Sequence, residues 1–276
     1  VSTARAFRRE AFFLGAAGRR LFATATYPQR VIGGLLYVHP FAEEMNKARR
    51  MAALAAESFA RHGWLVLQPD LTGCGDSSGD FGDARWQIWL DDIEHAFAWL
   101  NQRAPRCGLW TLRAGSLLGA GWVERSAIKP FFLFWQPVRD GRQHLTQVLR
   151  LKAANELLTA NANRNVVTGL REAIARGETV EVAGYRLDPA LAQGLDDARL
   201  VLADDYPAPV AVLEVTNTEP LATSPGTTTL VAKWSAAGIR ATANAVSGPS
   251  FWQTVEIETA EALLPASLAA LSSALQ

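Results

Sequence analysis

Long apolar runs are the first thing missing. None in the 276 residues approaches the roughly 20 that a bilayer-crossing helix needs, so no membrane span is expected. Cysteine is scarce: Cys74 and Cys107 stand alone with no C-x-x-C spacing, which argues against metal or dithiol redox work and for a reducing compartment. Neither sign of charge is in excess. Lys plus Arg and Asp plus Glu total 27 each, which removes the electrostatic basis for nucleic acid or an anionic membrane as partner. The opening VSTARAFRRE is positive with no apolar stretch behind it, which leads to the expectation of a cytoplasmic protein. Histidine is also sparse and uneven: His39, His62, His95 and His144, with none later. No metal and no cofactor are expected.

What is present is a strand and helix rhythm. EAFFLG (10–15) and RLFATATYP (20–28) alternate apolar and polar residues around a glycine turn, the pattern of an antiparallel hairpin. VIGGLLYVHPF (31–41) is continuously apolar, as a strand buried on both faces must be. Helical spacing over 47–63 stops at Gly63, WLVLQPDL (64–71) is a strand, and a helix is expected over 86–100. GLWTL (108–112), a helix over 116–126 and PFFLFWQPV (130–138) repeat the unit. The rhythm resumes at APVAVLEVT (208–216), a helix over 227–237, the strand IRATANAV (239–246) and a last helix over 259–275. Such alternation predicts a mostly parallel sheet with helices on both faces. Residues 139–205 break it with two helices and a short strand pair. The expectation is a core of 1–138 and 206–276 carrying a mainly helical cap insertion, 139–205.

Three motifs sharpen the class. LQPDLTGCGDSSGDF (67–81), HPF (39–41) and WQIWLDDIEHAFAWL (86–100) resemble the α/β-hydrolase superfamily's D-x-x-G-x-G-x-S-x-G loop, its oxyanion turn and the helix that follows. LYVHPFAEEMNK, LRAGSLLG, ETVEVAGYRL and GPSFWQTVEI are similar to a narrower group, the exosortase A system-associated hydrolase 2 proteins. That resemblance implies an α/β-hydrolase fold and a Gram-negative bacterium with a polysaccharide and protein-sorting locus.

Hydrolases of this fold need a nucleophile on a strained elbow, a histidine base, an orienting acid and two N–H donors, in the chain order nucleophile, acid, histidine. Against G-x-S-x-G-G-x-L-A, the stretch TLRAGSLLG puts Thr111 at the first glycine, Arg113 at the serine, Gly115 and Ser116 at the small positions and Leu118 at the apolar one. The late histidine is missing: VSGPSFW (246–252) occupies its place, with Pro249 near the expected position. Glu219 in TNTEPL is the available acid, with no base to orient. Ser116 is either a packed small side chain or a displaced nucleophile. Asp140 and His144, four apart, suggest a solvent-facing pair, and His62 and His95 read as helix residues.

Arg113 turns the elbow toward anions. At a helix N-terminus its planar fork of donors suits carboxylate or phosphate, and Ala114 beside it joins the expected binding set. The competing reading is an internal ion pair with Glu43, Glu44 or Asp76. His39 is either a ring fixed by loop backbone or an acid/base partner of Glu43 or Glu44. Phe41, Trp135, Gln136, Phe251 and Trp252 stand at strand ends and are expected to line the pocket. The residues predict a degenerate hydrolase that binds a small anionic or acyl-bearing molecule. Two rivals remain: an active ester or thioester hydrolase using Ser116 or His39 with Glu43 or Glu44, and a scaffold that docks a protein partner through the cap.

Overall fold

The computed structural model of the protein describes residues 7–16, 18–157 and 166–274. The chain opens with β1 (Phe7–Ala16) and β2 (Arg19–Pro28), paired antiparallel from Phe7 opposite Pro28 to Ala16 opposite Arg19. Gly18 makes the turn at φ 84°, a conformation glycine adopts without a Cβ clash. Then come β3 (Gly33–Val38), α1 (Glu43–Arg61), β4 (Trp64–Pro69), α2 (Trp86–Asn101), β5 (Cys107–Leu112), α3 (Gly115–Arg125) and β6 (Phe131–Trp135). Helix α1 starts four residues before its apolar periodicity, with Glu43 and Glu44 in the first turn where the macrodipole favours acids.

Between β6 and the next sheet strand the chain forms α4 (Gly141–Leu157), α5 (Val166–Ala175), the hairpin β7 (Val180–Val182) and β8 (Tyr185–Leu187), and α6 (Pro189–Asp197). The end of the first expected helix, 158–160, lies outside the described residues. Helix α6 is an addition to the sequence expectation. Asp188 caps it by accepting from the Ala190 N–H, and Pro189 starts it. The chain closes with β9 (Val210–Thr216), α7 (Pro225–Ala236), β10 (Ala241–Ser247) and α8 (Leu263–Ala274).

The eight-stranded sheet runs β1-β2-β4-β3-β5-β6-β9-β10, antiparallel at its first two pairings and parallel thereafter. Strand parity splits the core into two layers. Leu35, Trp110, Leu133 and Trp135 face α1 and α8, while Leu36, Val38, Leu109 and Phe134 face α2, α3 and α7. Strand order reverses between β3 and β5, and open α/β sheets bind ligands at the carboxyl ends flanking such a reversal. No helix among the described residues is long and apolar enough to cross a membrane.

Candidate functional site at the Arg113 elbow

The segments leaving β3 and β5 meet at that reversal. Arg113 follows β5 with φ 52°, a left-handed conformation that costs a non-glycine residue about 1–2 kcal/mol. The surroundings hold it there. The Arg113 N–H donates to the Trp135 carbonyl at 3.1 Å, and the Arg113 carbonyl accepts from the Ser116 N–H at 3.0 Å and the Val138 N–H at 3.2 Å. Gly115 lies so close to β3 that a Cβ would run into the Val38 carbonyl oxygen. The elbow is therefore fully formed with an arginine on it.

The guanidinium enters a cavity of about 240 Å³ walled by Phe41, Glu43 and Glu44 from the β3 exit, His144 from α4, and Trp252 after β10. Arg113 Nε donates to Glu44 Oε1 at 3.1 Å, with the two side chains 17% and 20% exposed. Its guanidinium carbon stands 5.4 Å from the centre of the Trp252 ring. Neither Nη group hydrogen-bonds a described residue, so the outer side of the fork is open. Glu44 Oε2 is buried with no hydrogen-bond partner among the described residues. Burial pushes the Glu44 carboxyl above its ordinary range, and Arg113 opposes that push. Glu43 lies at the rim and accepts from the Tyr185 hydroxyl at 3.1 Å, which in turn accepts from Asn46 at 2.9 Å.

His144 was the residue sequence reasoning misplaced. Its ring is 3% exposed and faces Phe41 at 6.3 Å; neither nitrogen makes a hydrogen bond of good geometry to a described residue, and the Gln147 side chain is the nearest polar partner. Burial, with the Arg113 charge nearby, pushes it down to about 3, so the ring is neutral at physiological pH. Asp140 instead accepts from the Gln143 N–H and pairs with Arg199. The signal for burial was the spacing of His144 with Leu145, Val148 and Leu149 on one side of α4.

Six expected site residues lie elsewhere. His39 is buried beneath the turn, where Nε2 accepts from the Leu71 N–H at 3.2 Å and Nδ1 bonds the Pro40 carbonyl at 2.8 Å, tying the β3 exit to the glycine loop. Ser116 is fully buried, and its hydroxyl lies 2.7 Å and 2.8 Å from the Arg113 and Val138 carbonyls, with no ring nitrogen bonded to it. Trp135 points to the opposite sheet layer and donates to Ser267, and Phe251 packs against it, because β6 parity puts residue 135 beneath the sheet. Gln136 accepts from the Val215 N–H and holds the end of β9. Ala114 is buried outside the cavity wall. The rearranged set of Ser116 or His39 with Glu43 or Glu44 is thus not assembled.

The remaining triad positions are also accounted for. Glu214, buried in β9, accepts from Ser224 and Thr227 at the start of α7, while Glu219 sits on the exposed loop beyond it. Pro249 occupies the loop after β10, and His62 and His95 each bond a carbonyl one turn back on their own helices. Among the described residues no group of three or more His, Cys, Asp or Glu side chains converges to hold a metal.

No protein-family model and no curated protein matches the chain. Solved structures do. Est1E from Butyrivibrio proteoclasticus, with ferulic acid bound, superposes with a TM-score of 0.67 at 18% identity over 96% of this chain and 99% of its own. The α/β hydrolase GrgF from Penicillium sp. sh18 gives 0.62 at 16%, covering 97% and 99%. Carboxyl esterase 2 from Tuber melanosporum gives 0.61 at 14%, covering 100% and 89%. The chain has the α/β-hydrolase fold. In that fold the oxyanion amides belong to the residue after the elbow and to the turn after the third strand. The corresponding positions in this chain are Ala114 and the Phe41–Ala42 turn, where Ala42 has φ 49°. Neither the Ala114 nor the Ala42 N–H hydrogen-bonds a described residue.

Proposed function

We propose that the protein is a non-hydrolytic member of this fold, similar to the exosortase A system-associated hydrolase 2 group, that binds a small anionic or acyl-bearing molecule at Arg113. One observation carries the reading: a formed elbow presents a guanidinium with an open fork where the nucleophile would stand. The Ala42 amide on the cavity wall supports an acyl oxygen beside it. Losing a serine or histidine from a working triad costs on the order of a million-fold in turnover. The sequence offers neither at its expected place. On this reading the protein works in a bacterial cytoplasm beside polysaccharide biosynthesis.

The test pairs catalysis with binding. The protein should not turn over p-nitrophenyl esters or acyl thioesters above background. Short carboxylates or acyl compounds should raise its melting temperature, and Arg113→Gln should abolish the rise. Turnover that disappears in Ser116→Ala, His39→Ala or His144→Ala would reverse the assignment.

A further inference from the structure

The charges lining the cavity already balance before anything enters. Arg113 and Lys47 face Glu43 and Glu44, and Lys47 also donates to the Thr254 carbonyl at 2.9 Å. A ligand carboxylate at the open side of Arg113 would put two carboxylates against one guanidinium. Two such groups sharing a site cannot both stay ionised at low cost. One atom is placed to resolve this, the buried and unpartnered Glu44 Oε2. As a carboxylate it lacks a donor; protonated, it becomes a donor in need of an acceptor.

Resting on the binding role given above, we propose that the site takes a small monocarboxylate together with one proton, shared between the ligand carboxyl group and Glu44 and clamped by the free end of the Arg113 fork. The step balances as ligand carboxylate plus proton plus protein giving a complex of unchanged net charge, with no covalent bond made or broken. His144 fits the same arrangement. Its neutral ring, which has Gln147 as its nearest polar neighbour and no well-aligned hydrogen bond to a described residue, supplies one N–H to the ligand without adding charge. The titratable and charged groups around Glu44 are Arg113 at the elbow, Tyr37 of β3, Glu43 and Lys47 of α1, His144 of α4 and Tyr185 of β8. Among them Glu44 alone combines a carboxyl group with an unsatisfied buried oxygen. Phe41, Val148, Val182 and Trp252 complete an apolar wall for the hydrocarbon part, and the volume equals that of about eight waters. Benzoate and hexanoate are suitable probes.

Isothermal titration of the protein at pH 8, in buffers of low and high ionisation enthalpy, measures the protons taken up per ligand bound. The expected result is about one proton for benzoate and hexanoate, with affinity falling about tenfold per unit from pH 7 to pH 8.5. Benzamide and methyl benzoate should bind at least tenfold more weakly at pH 7. Glu44→Gln should change the affinity for the acids and bind them without proton uptake and without the pH slope. Carboxylate binding by the unaltered protein without proton uptake would overturn the inference while leaving the binding role intact. The inference would equally fall if the uptake persisted in Glu44→Gln. Binding of neither acids, amides nor esters, or binding indifferent to Arg113→Gln, would remove both.

Discussion

Replacing Arg113 by methionine leaves Glu44 without its cation, and the size of the effect follows from how buried the pair is. Exposed pairs contribute about 0–1 kcal/mol, whereas orphaning one partner of a fully buried pair costs about 3–5 kcal/mol. With side chains 17% and 20% exposed, this pair falls between, at about 2 kcal/mol near pH 8. The pH dependence has a definite sign. Glu44 is raised above its ordinary 4.5 in the folded protein, so its contribution favours the fold below that value and is lost as pH climbs through the raised one. Removing Arg113 raises it further, so the gap between the two proteins should be small near pH 4.5 and widen upward. Thermal melts at pH 5 and pH 8 measure it. For a chain of this length about 2 kcal/mol corresponds to about 3–4 °C. The double variant Arg113→Met/Glu44→Gln should recover most of the loss at pH 8. A loss of equal size at both pH values, or no recovery in the double variant, would show that the ion pair does not set the stability of the elbow.

Three further substitutions separate structure from chemistry. Gly115→Ala should cost about 3 kcal/mol or more in urea unfolding, because the new Cβ meets backbone rather than a movable side chain. His39→Ala should cost about 2–3 kcal/mol by orphaning the buried Leu71 N–H, while carboxylate affinity measured by calorimetry stays within about twofold. His144→Phe should flatten the acid limb of the stability curve. The native ring is held down to about 3, so the fold loses up to about 1.4 kcal/mol per pH unit below 6.5 as the unfolded chain takes up the proton, and phenylalanine removes that slope.

The sheet was legible because its signals are local and redundant. Continuous apolar runs at β3, β5 and β6, alternation in the β1–β2 hairpin and glycine-marked turns each point to the same layered architecture. The elbow was legible as well, since a strand, a turn and a helix of small residues fix its geometry whatever side chain sits at its apex. Which side chains reach the cavity was harder to read. Adjacent residues diverge, so Phe251 is buried under the sheet while Trp252 faces Arg113, and Trp135 goes down with the parity of its strand. His144 was hidden for a related reason: α4 covers the elbow only through tertiary packing, and polar neighbours on its own helix made the ring look exposed. The pairing of Arg113 with Glu44 rather than Glu43 or Asp76 likewise depends on where the α1 first turn lands, a matter of one helical residue.

The most direct measurement is intact-protein mass spectrometry after prolonged exposure to a fluorophosphonate. An arginine on the elbow and a sealed Ser116 hydroxyl leave no activated nucleophile among the described residues of the site, so the mass should remain that of the unmodified chain. A stoichiometric adduct mapping to Ser116, or to any side chain of the Arg113 cavity, would contradict a binding role without hydrolysis.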